Sequence, residues 1–114
     1  MRVQVMNTSY FGKYRGGNGV SICLRPPYWY QGRRCDELAP KSWFFEKYKR
    51  DKDRNFFIKT YYEEVLDKLN PQDVYNVLGE NAVLLCWEES GEFCHRRLIA
   101  EWLEWELNIE INEL

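Results

Sequence analysis

Val3 and Val5 alternate with Arg2 and Gln4, which predicts a half-buried strand ending near residues 8–10. Val20, Ile22 and Leu24 alternate with Ser21, Cys23 and Arg25, predicting a second strand stopped by Pro26 and Pro27. Residues 26–40 carry no helical period and read as a loop. From Lys41 the pattern turns helical: Trp43, Phe44, Phe45 and Tyr48 mark a short helix that runs out in the charged residues 49–54. Ile58, Tyr61, Tyr62, Val65, Leu66 and Leu69 follow the three-four spacing of one apolar helix face. Asn70 and Pro71 supply a cap and a first-turn proline, and Gly79 a stop, for a third helix around Val74, Tyr75, Val77 and Leu78. Residues 82–87 form a continuous apolar run too short for a typical helix. They predict a strand covered on both faces, in the middle of a parallel sheet. Leu98, Ile99, Trp102 and Leu103 mark a last amphipathic helix, and residues 109–111 a short edge strand.

This order predicts a single α/β domain over residues 1–114, a small helix-covered, mainly parallel sheet of Rossmann-like type. The link between the first two strands is short for a parallel crossover. Either those strands pair antiparallel, or residues 11–14 make an abbreviated crossover. Composition agrees with a folded domain: 45% of the residues are apolar and 17% aromatic. A net charge of -2 gives no domain-wide attraction to nucleic acid, while leaving room for a local basic patch. The absence of an 18-residue apolar run excludes a transmembrane helix, and the alternating start is unlike a signal peptide, so no membrane partner and a cytoplasmic location are expected. Cys23, Cys35, Cys86 and Cys94 are then expected to be reduced. Nothing in the pattern bears on oligomeric state.

Ligands of open α/β sheets bind beyond the carboxyl ends of the strands, which places the candidate chemistry at the strand-to-helix turn of residues 86–97. A helix starting near Phe93 or Cys94 holds His95, Arg96 and Arg97 in its first turn. Cations there cost about 0.3–1 kcal/mol each at an exposed site. Either Glu88, Glu89 or Glu92 compensates internally, or a bound anion such as a phosphate does, held by backbone amides, His95 and Arg96. Cys94 reads as structural rather than nucleophilic, because no familiar thiol-phosphatase spacing surrounds it. Cys86, Cys94 and His95 could offer metal ligands, but adjacent residues rarely point into one tetrahedral site and Cys86 looks like core. No metal and no other cofactor is therefore expected. Glu88 is the better candidate for acid/base work. If the first strand runs parallel to the central one, Thr8, Ser9, Tyr10 and Arg25 reach the same sheet edge. The glycine-rich residues 12–19 lack the ending of a phosphate loop.

The run of residues 84–88 (Leu, Leu, Cys, Trp, Glu), the Phe93, Cys94, His95, Arg96 segment and the Leu-Ile-Ala-Glu-Trp-Leu helix that follows resemble the signature of the domain of unknown function 488 family. Residues 8–11, the Ser21-Ile22 strand and residues 38–40 are similar to its smaller, phage- and bacterium-associated branch. The resemblance implies a compact α/β fold and a shared pocket rather than a reaction. Glu88, Cys94, His95 and Arg96 match its motif directly, and Ser9, Tyr10 and Arg25 more loosely. The expected function is an enzyme-like or ligand-binding domain for a phosphorylated or nucleotide-type small molecule, with Glu88 and His95 catalytic and Arg96, Cys94, Ser9, Tyr10 and Arg25 binding. The alternative is a non-catalytic phage or bacterial interaction protein using the aromatic and basic loop of residues 28–34.

Overall fold

The computed structural model describes residues 6–89 and 91–114. Val3 and Val5, read as the start of the first strand, lie outside the described residues. The chain runs β1 (Asn7–Tyr10), β2 (Gly19–Ser21), β3 (Arg33–Arg34), α1 (Ser42–Asp51), α2 (Arg54–Glu64), α3 (Pro71–Leu78), β4 (Val83–Cys86), α4 (His95–Leu107) and β5 (Asn112–Glu113). The sheet order is β3-β2-β4-β1-β5, and every neighbouring pair is parallel. This is a small α/β fold.

The crossover question resolves through β4. β1 and β2 do not pair with each other; both pair parallel with β4, Thr8 and Val20 each lying opposite Leu84. Residues 11–18 therefore carry the chain back across the central strand in an abbreviated crossover. Gly19 sits closely against Leu85 at the landing point: a Cβ there would meet Leu85 Cδ1 at 2.6 Å, so any larger residue would have to displace that side chain.

The continuous apolar run is the central strand, and all four residues of β4 are buried. Its two faces are covered differently. Leu84 and Cys86 belong to the face on which α4 packs, with α3 beside α4. Leu85 points the other way, toward Phe11, Tyr14, Trp29 and Tyr30. Phe11 is the hub of that cover, edge-on to Trp29, Tyr30 and Trp87 at centroid separations of 6.2, 5.2 and 5.8 Å. Helices thus cover one face and aromatic loops much of the other.

Four boundaries differ from the sequence reading. The second strand ends at Ser21 rather than running on to Pro26. The loop of residues 26–40 contains an edge strand, β3, whose Arg33 guanidinium donates to the carbonyls of Val77 and Leu78 at the end of α3. The long helix breaks after Glu64, and Val65 and Leu66 enter the core from a 3-10 turn at Leu66–Lys68. Its buried face is Phe57, Thr60 and Tyr61, while Ile58 and Tyr62 are only half-buried. The last strand lies at Asn112–Glu113, just past residues 109–111. The third helix is bracketed as expected: Asn70 accepts from Asp73 N at 3.0 Å, and Gly79 closes it at φ 91°. Among the described residues no helix is long and apolar enough to cross a membrane, and all four cysteines are free thiols.

Candidate functional site

β2 and β4 end side by side, and the chain leaving each stays tied to the other. Trp87 Nε1 donates to the Arg25 carbonyl at 2.7 Å. Cys94 caps α4 with an extended backbone (φ -152°, ψ 145°), and His95 is the first helical residue. Phe93 seats this turn against α1 and α2, 5.4 Å from the Tyr48 ring and 5.6 Å from that of Phe57. The His95 ring lies edge-on to Tyr61.

Above the strand ends opens a cleft of about 390 Å³. Cys23, Cys86 and His95 lie at its base, Trp87 and Glu88 on one wall, and Phe45, Tyr48, Lys49 and Lys52 of α1 and its cap on the other, with Arg25 at the rim. Arg25 and Lys49 share one carboxylate, Glu46, at 3.5 and 3.9 Å. Lys52 has no ion pair among the described residues; its ammonium sits 5.4 Å from the Tyr48 ring centroid. Glu88 is the one carboxylate among the residues lining the cleft. The cleft is therefore positive at its mouth.

At the base, His95 is buried and its Nε2 lies 2.7 Å from the Ile22 carbonyl oxygen. A carbonyl can only accept, so Nε2 carries a proton. Nδ1 then faces two sulfurs, Cys86 Sγ at 3.7 Å and Cys94 Sγ at 3.9 Å. The Cys86 thiol donates to Glu88 Oε2 at 3.3 Å. Burial pushes the Cys86 thiol well up, as do the neighbouring Cys94 and Glu88. Burial also opposes ionisation of Cys94, but hydrogen bonds from Cys86 and His95 and the imidazole charge outweigh it and hold that thiol well down. His95 is raised in turn: burial disfavours its cation, and Cys94 more than offsets this. Burial and the adjacent Cys94 sulfur raise Glu88 above the usual carboxylate range.

The structure divides the sequence candidates into two groups. Glu88, Cys94, His95 and Arg25 belong to the cleft or its base. Ser9, Tyr10 and Arg96 lie elsewhere. Arg96, 1% exposed, donates from Nε and Nη2 to the Glu113 carboxylate at 3.0 and 2.7 Å, and its guanidinium sits 6.0 Å from the Tyr10 ring centroid. Arg97 reaches Thr8 Oγ1 at 2.8 Å and the Ile111 carbonyl at 3.2 Å. The two arginines of the first turn are thus compensated by Glu113 and by strand-edge acceptors, with no ion pair to Glu88, Glu89 or Glu92 among the described residues. Ser9 is fully buried on β1, and its hydroxyl has no hydrogen-bond partner among the described residues. In the loop of residues 28–34, Tyr28 is 99% exposed, while Arg33 caps α3 and Arg34 pairs with Asp36 at 3.1 Å.

Sequence reasoning missed the α1 wall. Phe45, Tyr48, Lys49 and Lys52 stand at i, i+3, i+4 and i+7, the spacing of one helix face, so the signal was present. It was hidden because residues 49–54 read as a solvated helix end.

No curated protein and no solved structure matches the chain. A family model does: residues 9–107 match DUF488-N3a, described as the active DUF488-N3 subclade. That span holds the cleft, β2 to β4 and all of α1 to α4, and the chain belongs to the DUF488-N3a family.

Proposed function

We propose that the chain is an enzyme-like domain that takes a phosphorylated or nucleotide-type small molecule in the cleft between the strand ends and α1. The observation that carries this reading is the convergence of Arg25, Lys49 and Lys52 on a cleft at the carboxyl ends of parallel strands. Glu46 is shared by two of these cations, which leaves net positive charge for an anionic group at the mouth. In this reading the anion is held by those three side chains, and Arg96, spent on Glu113, positions the turn from behind.

Tyr48, Phe45 and Trp87 supply apolar wall for the uncharged part of the ligand. Glu88 is the group in reach for proton transfer. His95 is less available, since Nε2 is engaged by Ile22 and Nδ1 faces buried sulfur. The description of the matching family model as an active subclade supports a catalytic rather than a purely structural role.

The test is a titration of wild type, Arg25→Glu, Lys49→Glu and Lys52→Glu with nucleoside mono-, di- and triphosphates and sugar phosphates, Lys13→Glu serving as an exposed control. Each cleft reversal is expected to weaken binding about tenfold or more, the worth of one charged hydrogen bond. Glu88→Gln is expected to keep binding and lose turnover. Equal binding by all variants, or none by wild type across the panel, contradicts the reading.

A further inference from the structure

We infer that Cys86, Cys94 and His95 form a binding site for a divalent transition metal of the zinc class, with the fourth coordination position directed toward the cleft. The inference stands on the side-chain geometry at the base and does not depend on the anion-binding reading.

The ligand atoms of these three residues all lie within 4.8 Å of one another, and all three residues are buried. A tetrahedral zinc with about 2.3 Å bonds to sulfur and 2.0–2.1 Å to nitrogen needs S–N edges of roughly 3.6 Å. The observed Sγ–Nδ1 separations are 3.7 and 3.9 Å, so a small adjustment seats an ion. Adjacent residues rarely point into one tetrahedral site, but Cys94 and His95 bring their ligand atoms together for a local reason. Cys94 is extended and His95 helical, and this change of backbone at the cap turns both side chains to the same side.

The imidazole is also prepared as a ligand. Its Nε2–H is fixed on the Ile22 carbonyl at 2.7 Å, so Nδ1 is the ring nitrogen that faces the two sulfurs, and an ion takes the place of any proton it shares with Cys94. Metal-bound histidines are held in this way, the outer hydrogen bond setting tautomer and ring orientation. Two thiolates and a neutral imidazole balance a divalent ion, so the buried base carries no uncompensated charge once filled. A nucleophilic thiol fits less well: Cys86, which lines the cleft, donates its proton to Glu88, and Cys94 is not among the cleft-lining residues. Three protein ligands beside an accessible cleft are the arrangement of sites that leave one position for solvent or substrate. Glu88 Oε2, 3.3 Å from Cys86 Sγ, stands beside that position.

The test uses the full chain purified without chelator and without any added phosphate ligand. Elemental analysis is expected to find close to one zinc per chain. Competition with a chromophoric chelator is expected to show affinity falling on the order of 100-fold or more in Cys94→Ser and Cys86→Ser, with Cys35→Ser unchanged. Because the buried variants could unfold, cobalt(II) substitution of wild type gives a second readout. Thiolate-to-cobalt charge-transfer absorption together with tetrahedral visible bands is expected. Folded wild type that neither retains zinc nor binds it tightly, or a cobalt spectrum lacking the thiolate band, overturns the inference. Failure of phosphate binding with zinc retained would leave this site standing and reject only the anion reading.

Discussion

The Arg96 guanidinium and the Glu113 carboxylate lie in a two-point ion pair at 3.0 and 2.7 Å, joining the first turn of α4 to the edge strand β5. Thr8 Oγ1 donates to the same carboxylate at 2.5 Å, so one glutamate ties together β1, β5 and α4. Arg96 is fully buried while the Glu113 side chain is 21% exposed, which makes loss of the carboxylate the damaging half of the pair.

Glu113→Ala is therefore expected to destabilise the fold by about 3 kcal/mol, because it strands a buried guanidinium. Urea unfolding measures it, and a loss under about 1 kcal/mol would show the pair to be dispensable. Replacing both partners with apolar residues, Arg96→Met with Glu113→Leu, should cost less than Glu113→Ala alone.

This pair also marks where the sequence stopped being informative. Residue types at 94–97 showed an excess of positive charge at a helix start, and that excess exists. Nothing local could show which carboxylate answers it. The partner lies 17 residues away on a two-residue strand, and its proximity depends on β5 pairing with β1. The elements with a clean period or punctuation were legible: the both-sides-buried β4, and α3 between Asn70 and Gly79. The edge strand β3 was not, since two exposed arginines carry no alternation to read. The cleft was half legible. The β4 side followed from the strand-end rule, whereas the α1 wall needed the tertiary packing that brings Lys49 and Lys52 to the cleft that Glu88 also lines.

Tyr61→Phe tests the packing behind the site. The Tyr61 hydroxyl donates to the Leu38 carbonyl at 2.5 Å in the core, and its ring touches His95. Removing the hydroxyl leaves a buried carbonyl without its donor, at an expected cost of about 1–3 kcal/mol. Thermal or urea unfolding checks it. A neutral result would mean that water satisfies Leu38.

Asn70→Ala is the matched control far from the cleft. Its Oδ1 accepts from Asp73 N, and loss of that cap should cost about 1 kcal/mol while leaving ligand and metal affinity unchanged. A change in affinity would show α3 to be coupled to the site.

The most direct measurement is a titration of the folded chain with pyrophosphate and with ATP, followed by the five tryptophan indole N–H resonances. Trp87 is on the cleft wall and bonded to the Arg25 carbonyl, whereas Trp43 and Trp105 lie outside the cleft. A saturable shift of Trp87 together with the backbone signals of residues 23–25, 49–52 and 86–88 is expected, while Trp43 and Trp105 stay still. No saturable shift with either ligand, or shifts centred elsewhere such as residues 11–19, would contradict it.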